Sequence, residues 1–321
     1  MEISHAHTAN IAADIKTQAA SLGFDACGYA RAQAVDERAR RCYRQWLDDG
    51  RHGCMAWASR HADVRDDPRR LLDGAHTIVM LAMNYRPPRL QAAGAPQFAW
   101  YAYGRDYHEV LRERMRQLAT FIRESTGCEC RCCVDTAPLR ERYWAQQAGL
   151  GFIGRNNQLI LPGRGSYFFL GAVLTTLELP PDTPCLLTCE GCGACVAACP
   201  AGALSGDGAV DARRCLSCLT IELREPLPSW AGQAMGNRVY GCDACQHCCP
   251  HNSLAAPTDL ADFHPTEQFL RLDAEAIRQM TPGEFSLLFS HSAVKRVKLN
   301  GLQRNLAAID EAKLTDNDHN I

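Results

Sequence analysis

The 321-residue sequence has no long apolar run. Its best candidate, GSYFFLGAVLTTL at 165–177, is too short for a membrane helix and reads as a buried strand pair. The opening MEISHAHTANIAADIK is polar and acidic, without the basic-then-apolar pattern of an export signal. A cytoplasmic protein with no membrane association is expected. Charge of one sign is also missing: 34 Lys and Arg face 36 Asp and Glu, for a net charge of −2. Contact with nucleic acid would therefore need a local basic patch. No G-x-G-x-x-G follows a strand, since the glycines of GLGFIG (149–154) close a helical segment, and there is no P-loop. Neither a dinucleotide nor ATP is signalled. No repeat of solenoid length is present.

Cysteine, by contrast, is abundant. There are 18, and eleven lie between Cys185 and Cys249. Without an export signal, disulfides are a poor account of them, because the cytosol keeps thiols reduced. Clustering on this scale points to metal. Cys189, Cys192, Cys195 and Cys199-Pro200 form C-x2-C-x2-C-x3-C-P, the bacterial ferredoxin pattern. A stretched partner run follows: Cys215, Cys242, Cys245 and Cys249-Pro250. By the crossed logic of two-cluster ferredoxins, Cys189, Cys192, Cys195 and Cys249 would hold one [4Fe–4S] cluster. Cys199, Cys215, Cys242 and Cys245 would hold the other. Zinc competes, since it too takes C-x2-C pairs, but one zinc needs four ligands and the runs supply eight. Cys248 competes with Cys249; the x3 spacing and Pro250 favour Cys249. Cys185 and Cys218 are surplus, and Cys128 to Cys133 alternate like a strand.

Ahead of the cysteines, residues 1–184 read as an α/β (α+β) domain. Ile11, Ile15, Ala19 and Leu22 recur at helical spacing before a strand at 24–30. A second strand spans 76–85. Val110, Leu111, Met115, Leu118, Ala119 and Ile122 mark a helix, followed by a short strand at 130–135 and a helix at 139–149. The strands QLILP and SYFFLGAVLTTLEL follow. A boundary is expected near residue 184, with a ferredoxin-like two-cluster domain over 185–255 and a short helical C-terminal segment over 256–321, frayed at its tail.

Several blocks carry a family resemblance: YGRDYH (103–108), VDTAPLRERYWAQQAGLGFIGRNN (134–157), GSYFFLGAVLT (165–175), VDARRCLSCLTIE (210–222) and GNRVYGCDACQHCCPHN (236–252). In order, and over most of residues 8 to 305, the chain resembles the epoxyqueuosine reductases. The resemblance implies a cobalamin (vitamin B12) enzyme with two [4Fe–4S] clusters that reduces epoxyqueuosine to queuosine at the wobble position of tRNA. It implies an external low-potential electron donor of flavodoxin or ferredoxin type, and a monomer is expected. Asp135 would be the proton donor, its pKa raised by burial. Read from the residues alone, Asp135 is instead a helix cap.

Cobalamin contacts are expected among Trp57, Asp106, Tyr107, His108, Asp135, Arg155, Asn156, Asn157, Ser166, Tyr167, Phe168 and Ser217. His108 is not expected to ligate cobalt, because the chemistry needs an open axial position. Lys295, Arg296, Lys298 and Arg304 could meet the tRNA backbone, with Arg213, Arg214 and Arg224 nearer the site; the alternative is a solvated helix face. The chain departs from the family at Ala137, where glycine is usual, and at Cys218, where an aromatic is usual. Its C-terminal helical segment is also shorter. The rival readings are another cobalamin and iron–sulfur reductase, such as a reductive dehalogenase, or an electron-transfer ferredoxin.

Overall fold

The computed structural model describes residues 5–318. Its strands are β1 (Ala26–Arg31), β2 (Thr77–Asn84), β3 (Gln97–Phe98), β4 (Cys130–Cys133), β5 (Phe152–Ile153), β6 (Leu159–Ile160), β7 (Phe168–Thr175) and β8 (Arg238–Tyr240). Four of them form the main sheet, in the order β1-β2-β7-β4. Every pairing in that sheet is antiparallel, so the first domain lies on the α+β side of the expected class. The segment 165–177 is not a strand pair: it holds the single strand β7, whose partners β2 and β4 come from elsewhere in the chain.

Both faces of this sheet are buried, which explains why β2 is almost wholly apolar. Val79, Leu81 and Met83 point into one core, against the helices His5–Ser21 and Tyr107–Thr126. The alternate residues Ile78, Met80 and Ala82 point into another, with Trp144 and Ala145 of the helix Glu141–Gln147. Gly171 on β7 makes the first contact possible: a Cβ there would stand 2.6 Å from the Met115 sulfur. The long helix is set by its ends. Asp106 caps it by accepting from the His108 amide, and Gly127 closes it at φ 72°.

A second core gathers distant parts of the chain. Phe98 and Tyr103 pack there with Leu216, Leu219, Met235 and Tyr240 of the cysteine region. Phe269, Phe285, Leu302, Leu306 and Ile309 join them from the C-terminal helices. β3 pairs in parallel with β8 across the same junction. The last helix, Lys298–Asp318, extends through most of the tail expected to fray; residues 319–321 lie outside the described residues. No helix among the described residues is long and apolar enough to cross a membrane.

Asn305 rivets this helix in place. It is fully buried, and its side-chain amide donates to the carbonyls of Thr220 (2.8 Å) and Val239 (2.9 Å). Asn305→Ala would leave both carbonyls buried and unpaired. We expect a loss of about 2–4 kcal/mol in chemical unfolding. An unchanged midpoint would show that this bond pair does not hold the helix.

Candidate active site

The acidic site forms where β4 ends and the helix Tyr107–Thr126 begins. Asp135, two residues past β4, adopts φ 41°, a left-handed conformation uncommon for any residue but glycine. Its amide donates to Glu141 Oε1 at 2.7 Å, which holds the turn. Its carboxylate meets His108 Nε2 at 2.9 Å, and His108 Nδ1 meets Asp106 Oδ1 at 2.7 Å. The Tyr107 hydroxyl also hydrogen-bonds Asp135, while its ring stacks on Phe169 with centroids 4.4 Å apart. Arg296 lies close enough to lower the Asp135 pKa, and its guanidinium grips Glu222 at 2.6 and 2.7 Å.

This geometry corrects two expectations for Asp135. It is not a helix cap: the following helix starts at Glu141 with Arg140 at its N-cap position, and the Asp135 side chain turns to His108 instead. Nor is its pKa raised. Burial is the largest single influence and pushes it up, but the hydrogen bond and charge of His108, the Tyr107 hydroxyl and Arg296 together outweigh it and hold the carboxyl below its ordinary value. Burial opposes charge on His108 as well, yet its bonds to Asp106 and Asp135 win and raise it to about 9. The group pushed up among the acids is Glu141, to about 8, by burial and then by the charge on Asp135. Reading the sequence missed Glu141. The only signal was an acid six residues after Asp135.

The cysteines gather into two groups. Burial raises the Cys249 thiol, and Cys189, Cys192 and Cys195 are near enough to add to the effect. Burial likewise raises Cys245, with Cys242, Cys215 and Cys199 as its thiol neighbours. These are the two crossed sets. Cys248 stands beside the first, near Cys195, Cys249 and Cys192. Main-chain amides aim at the sulfurs: Ala203 N donates to Cys199 Sγ at 3.2 Å, and the amides of Ser217 and Cys218 point at Cys215. Such donors favour thiolate, against burial, which pushes the Cys215 thiol up. Among the described residues, no three His, Cys, Asp or Glu side chains converge tightly enough to hold one metal ion. Cys189, Cys192, Cys195 and Cys249 line one recess together.

The groups differ in surroundings. The first lies toward the surface, with Cys192 exposed and Gly154, Arg155, Asn156 and His251 lining the same recess. The second adjoins the acidic site. Cys242 follows Gly241 and Tyr240, and the Tyr240 hydroxyl lies 3.0 Å from that of Tyr101, whose ring meets Tyr107 edge-on. The loop before Trp57 is pinned to this region, with Cys54 Sγ 3.6 Å from Cys218 Sγ. Cys218, expected as a surplus buried thiol, is buried and has this partner.

The expected cobalamin contacts therefore separate. Asp106, Tyr107, His108 and Asp135 come together, and Ser217 and the Trp57 loop meet through the Cys54–Cys218 contact. Trp57 is 43% exposed, with Arg65 over its ring. The others stand elsewhere. Arg155 lies against Gly191 of the first thiol group, and buried Asn156 donates to the Cys245 carbonyl at 3.0 Å. Asn157, at φ 58°, accepts from Arg142 through its carbonyl. Ser166 donates to Gln246 Oε1 at 3.0 Å, Tyr167 packs on Trp100, and Phe168 lies under Arg164. These bonds brace the cluster loops.

The basic residues separate too. Arg304 is spent on the carbonyls of Leu219, Leu223 and Glu225. Arg224 bonds the carbonyls of Val297 and Arg296, Arg213 pairs with Asp211, and Arg214 bonds the Ala201 carbonyl. Lys295 and Lys298 remain exposed.

Two thiol groups beside a cluster of acids define an iron–sulfur oxidoreductase. The 4Fe-4S double cluster binding domain model matches residues 188–252, and the Epoxyqueuosine reductase QueG, DUF1730 model matches residues 65–136. The epoxyqueuosine reductase of Leadbetterella byssophila is 41% identical over 299 residues, covering 93% of this chain and 98% of its own. That of Gloeobacter violaceus is 40% identical, covering 92% and 94%. A crystal structure of epoxyqueuosine reductase with an epoxyqueuosine-modified tRNA-Tyr stem loop superposes with a TM-score of 0.86 at 28% identity, covering 94% of this chain and 81% of that one. The Streptococcus thermophilus enzyme gives 0.86 at 29%, covering 94% and 80%. The chain belongs to the epoxyqueuosine reductase family.

The elevated Glu141 has a measurable consequence. Its folded pKa of about 8 exceeds its ordinary 4.5, so the folded chain holds a proton that the unfolded chain releases. Stability from this group is present below pH 4.5 and is lost as pH rises toward about 8. Glu141→Gln keeps the acceptor for the Asp135 amide and removes the titration. Urea unfolding of the variant should be flatter across that window than the parent's. Parallel curves would place the raised pKa elsewhere.

Proposed function

We propose that this enzyme reduces epoxyqueuosine to queuosine in tRNA, with cobalamin as the group that meets the epoxide and Asp135 as its proton donor. The observation that carries this reading is the Asp106–His108–Asp135 cluster, joined through Tyr107, Tyr101 and Tyr240 to the Cys199, Cys215, Cys242 and Cys245 group. A solved relative is described with its catalytic aspartate loop swung out of the active site, which agrees with a functional aspartate on a strained turn.

Cys189, Cys192, Cys195 and Cys249 hold the outer cluster in this reading. Cys199, Cys215, Cys242 and Cys245 hold the inner one. Amides directed at Cys199 and Cys215 suit thiolate ligands there. The exposed outer group faces the external low-potential donor of flavodoxin or ferredoxin type. Trp57, Ser217 and the Asp106–His108–Asp135 group would hold the corrin. The Trp57 loop is tied beside Ser217 by the Cys54–Cys218 contact, and Asp135 keeps 51% of its side-chain surface exposed. When reduced and bound, cobalamin supplies the strongly reducing metal that the epoxide carbon requires. Asp135 gives a proton to the departing oxygen, and Tyr107 and His108 orient its carboxylate. Lys295 and Lys298, exposed in the segment that also brings Arg296 to Asp135, are placed to meet tRNA phosphates.

Protein purified without air should carry about eight irons, four for each thiol group. Stoichiometric zinc would overturn the ligand assignment. Cys249→Ser should lose a cluster while Cys248→Ser keeps both, as read by cluster EPR; the reverse pattern would exchange their roles.

Asp135→Asn should keep iron and the corrin absorption bands. Conversion of epoxyqueuosine-tRNA should fall by about two to four orders of magnitude, the usual share of general acid catalysis. Turnover near the parent rate in a fully loaded variant would mean that the proton comes from another group.

A further inference from the structure

Reducing an epoxide to an alkene consumes two electrons and two protons, and the oxygen leaves as water. The clusters supply the electrons. Asp135 can carry only one proton at a time, and in this structure its carboxyl faces a histidine ring nitrogen at 2.9 Å. The ring is His108, whose Nδ1 and Nε2 both face carboxylates, at 2.7 and 2.9 Å. A neutral imidazole has one N–H and could satisfy only one of them. With both nitrogens so placed, the protonated ring is the state that completes both bonds.

We propose that His108 passes protons to Asp135 during the reaction, with Asp106 holding its ring in line. The proposal rests on the reading of Asp135 as proton donor. The Nε2 proton moves to Asp135 Oδ2, and from there to the substrate oxygen as the first C–O bond breaks, leaving a hydroxyl. A second proton follows the same route as the second C–O bond breaks and water departs. Between transfers the neutral ring keeps its Nδ1 proton, donated to Asp106, and Nε2 regains a proton from solvent, which reaches the partly exposed ring from the Asp106 side. The layout suits this order. The open face of Asp135 is the one that substrate would cover, whereas Asp106 keeps a separate 26% exposure at the helix end.

The surrounding charges support a cationic ring. Asp106 and Asp135 flank it, and Glu141 stands behind Asp135. Arg112 acts on Asp106, Arg296 acts on Asp135 and Arg142 acts on Glu141. Tyr107 stacks on the ring at 4.1 Å. Nearby, His291 and Glu109 are occupied with each other at 3.1 Å. The balance lifts His108 to about 9, so it is charged at neutral pH and can discharge only into a group that has just lost its proton. His108 is thus a positioning and supply residue, and Asp135 alone touches the substrate.

The test is the pH profile of kcat with the fully loaded enzyme, read beside the nitrogen NMR titration of His108 in protein carrying clusters but no cobalamin. In the parent, activity should decline as pH rises through about 9, where the ring loses its charge. Asp106→Asn removes one flanking carboxylate but keeps a good helix cap. Whatever its absolute rate, its alkaline limb and its His108 titration should both move down by about one pH unit or more, a tenfold shift in proton affinity. His108→Gln should abolish that limb. An alkaline limb that stays in place in Asp106→Asn while the imidazole titration moves would overturn the relay, as would a limb near 9 in His108→Gln. If Asp135→Asn is inactive and only these limbs fail to move, the relay alone falls. If Asp135→Asn is fully active, the donor reading falls with it.

Discussion

The hydroxyl of Tyr240 ties the molecule together. The residue is fully buried, so its polar end must find partners within the protein. It donates to the Ala293 carbonyl at 2.8 Å and accepts from Tyr101 at 3.0 Å, while its ring stacks on Phe98. One side chain thus joins the segment after β3, the cysteine region and the C-terminal segment. The consequence runs along the backbone. The next amide, Gly241, donates to Thr220 Oγ1, and Cys242 follows at the edge of the inner thiol group. The same C-terminal segment brings the His291 carbonyl to the Asp106 amide and Arg296 to Asp135. The thiols and the acids cannot shift independently.

What the sequence disclosed follows from what is local. The crossed cysteine sets were legible because ligand spacing is fixed within short runs, and one glance at C-x2-C-x2-C-x3-C-P defines both the loop and its partner. The strands were legible because β2 and β7 are apolar on both faces. Their pairing was not: an apolar run buried on both sides reads equally as parallel or antiparallel, and only the register settles it. The meeting of His108 with Asp135, 27 residues apart, depends on β4 delivering one beside the helix that begins with the other. No periodicity carries that; only the resemblance did, and it gave the aspartate without its partner.

Several expected site residues are engaged within the protein itself. Asn156, Asn157 and Ser166 are polar residues beside glycine turns, which looks like a ligand-binding loop. In the fold they are buried or bent against backbone, and a buried polar group is taken first by the nearest unpaired carbonyl or amide. Arg304 shows the same thing among the cations. A guanidinium can cross-brace several carbonyls at once, and a run of basic residues does not reveal which members are used this way. Lysines, with no comparable fork, were left for solvent.

The electrostatics of the acid cluster turn on which group bears the cost of burial. Glu141 and Asp135 stand close, and two like charges in one pocket cannot both be held cheaply. The structure separates them: His108 keeps Asp135 ionised, while Glu141 is pushed toward its neutral form. Environments that drive neighbouring acids apart in this way usually mark a division of labour. Glu141 also accepts the Asp135 amide in its left-handed turn, so it controls both the posture and the charge of the residue in front of it. An acid in the proposed role of proton donor gains from this arrangement. Its ionised state is stabilised by a cation that can itself give up the proton, and its position does not depend on which state it is in.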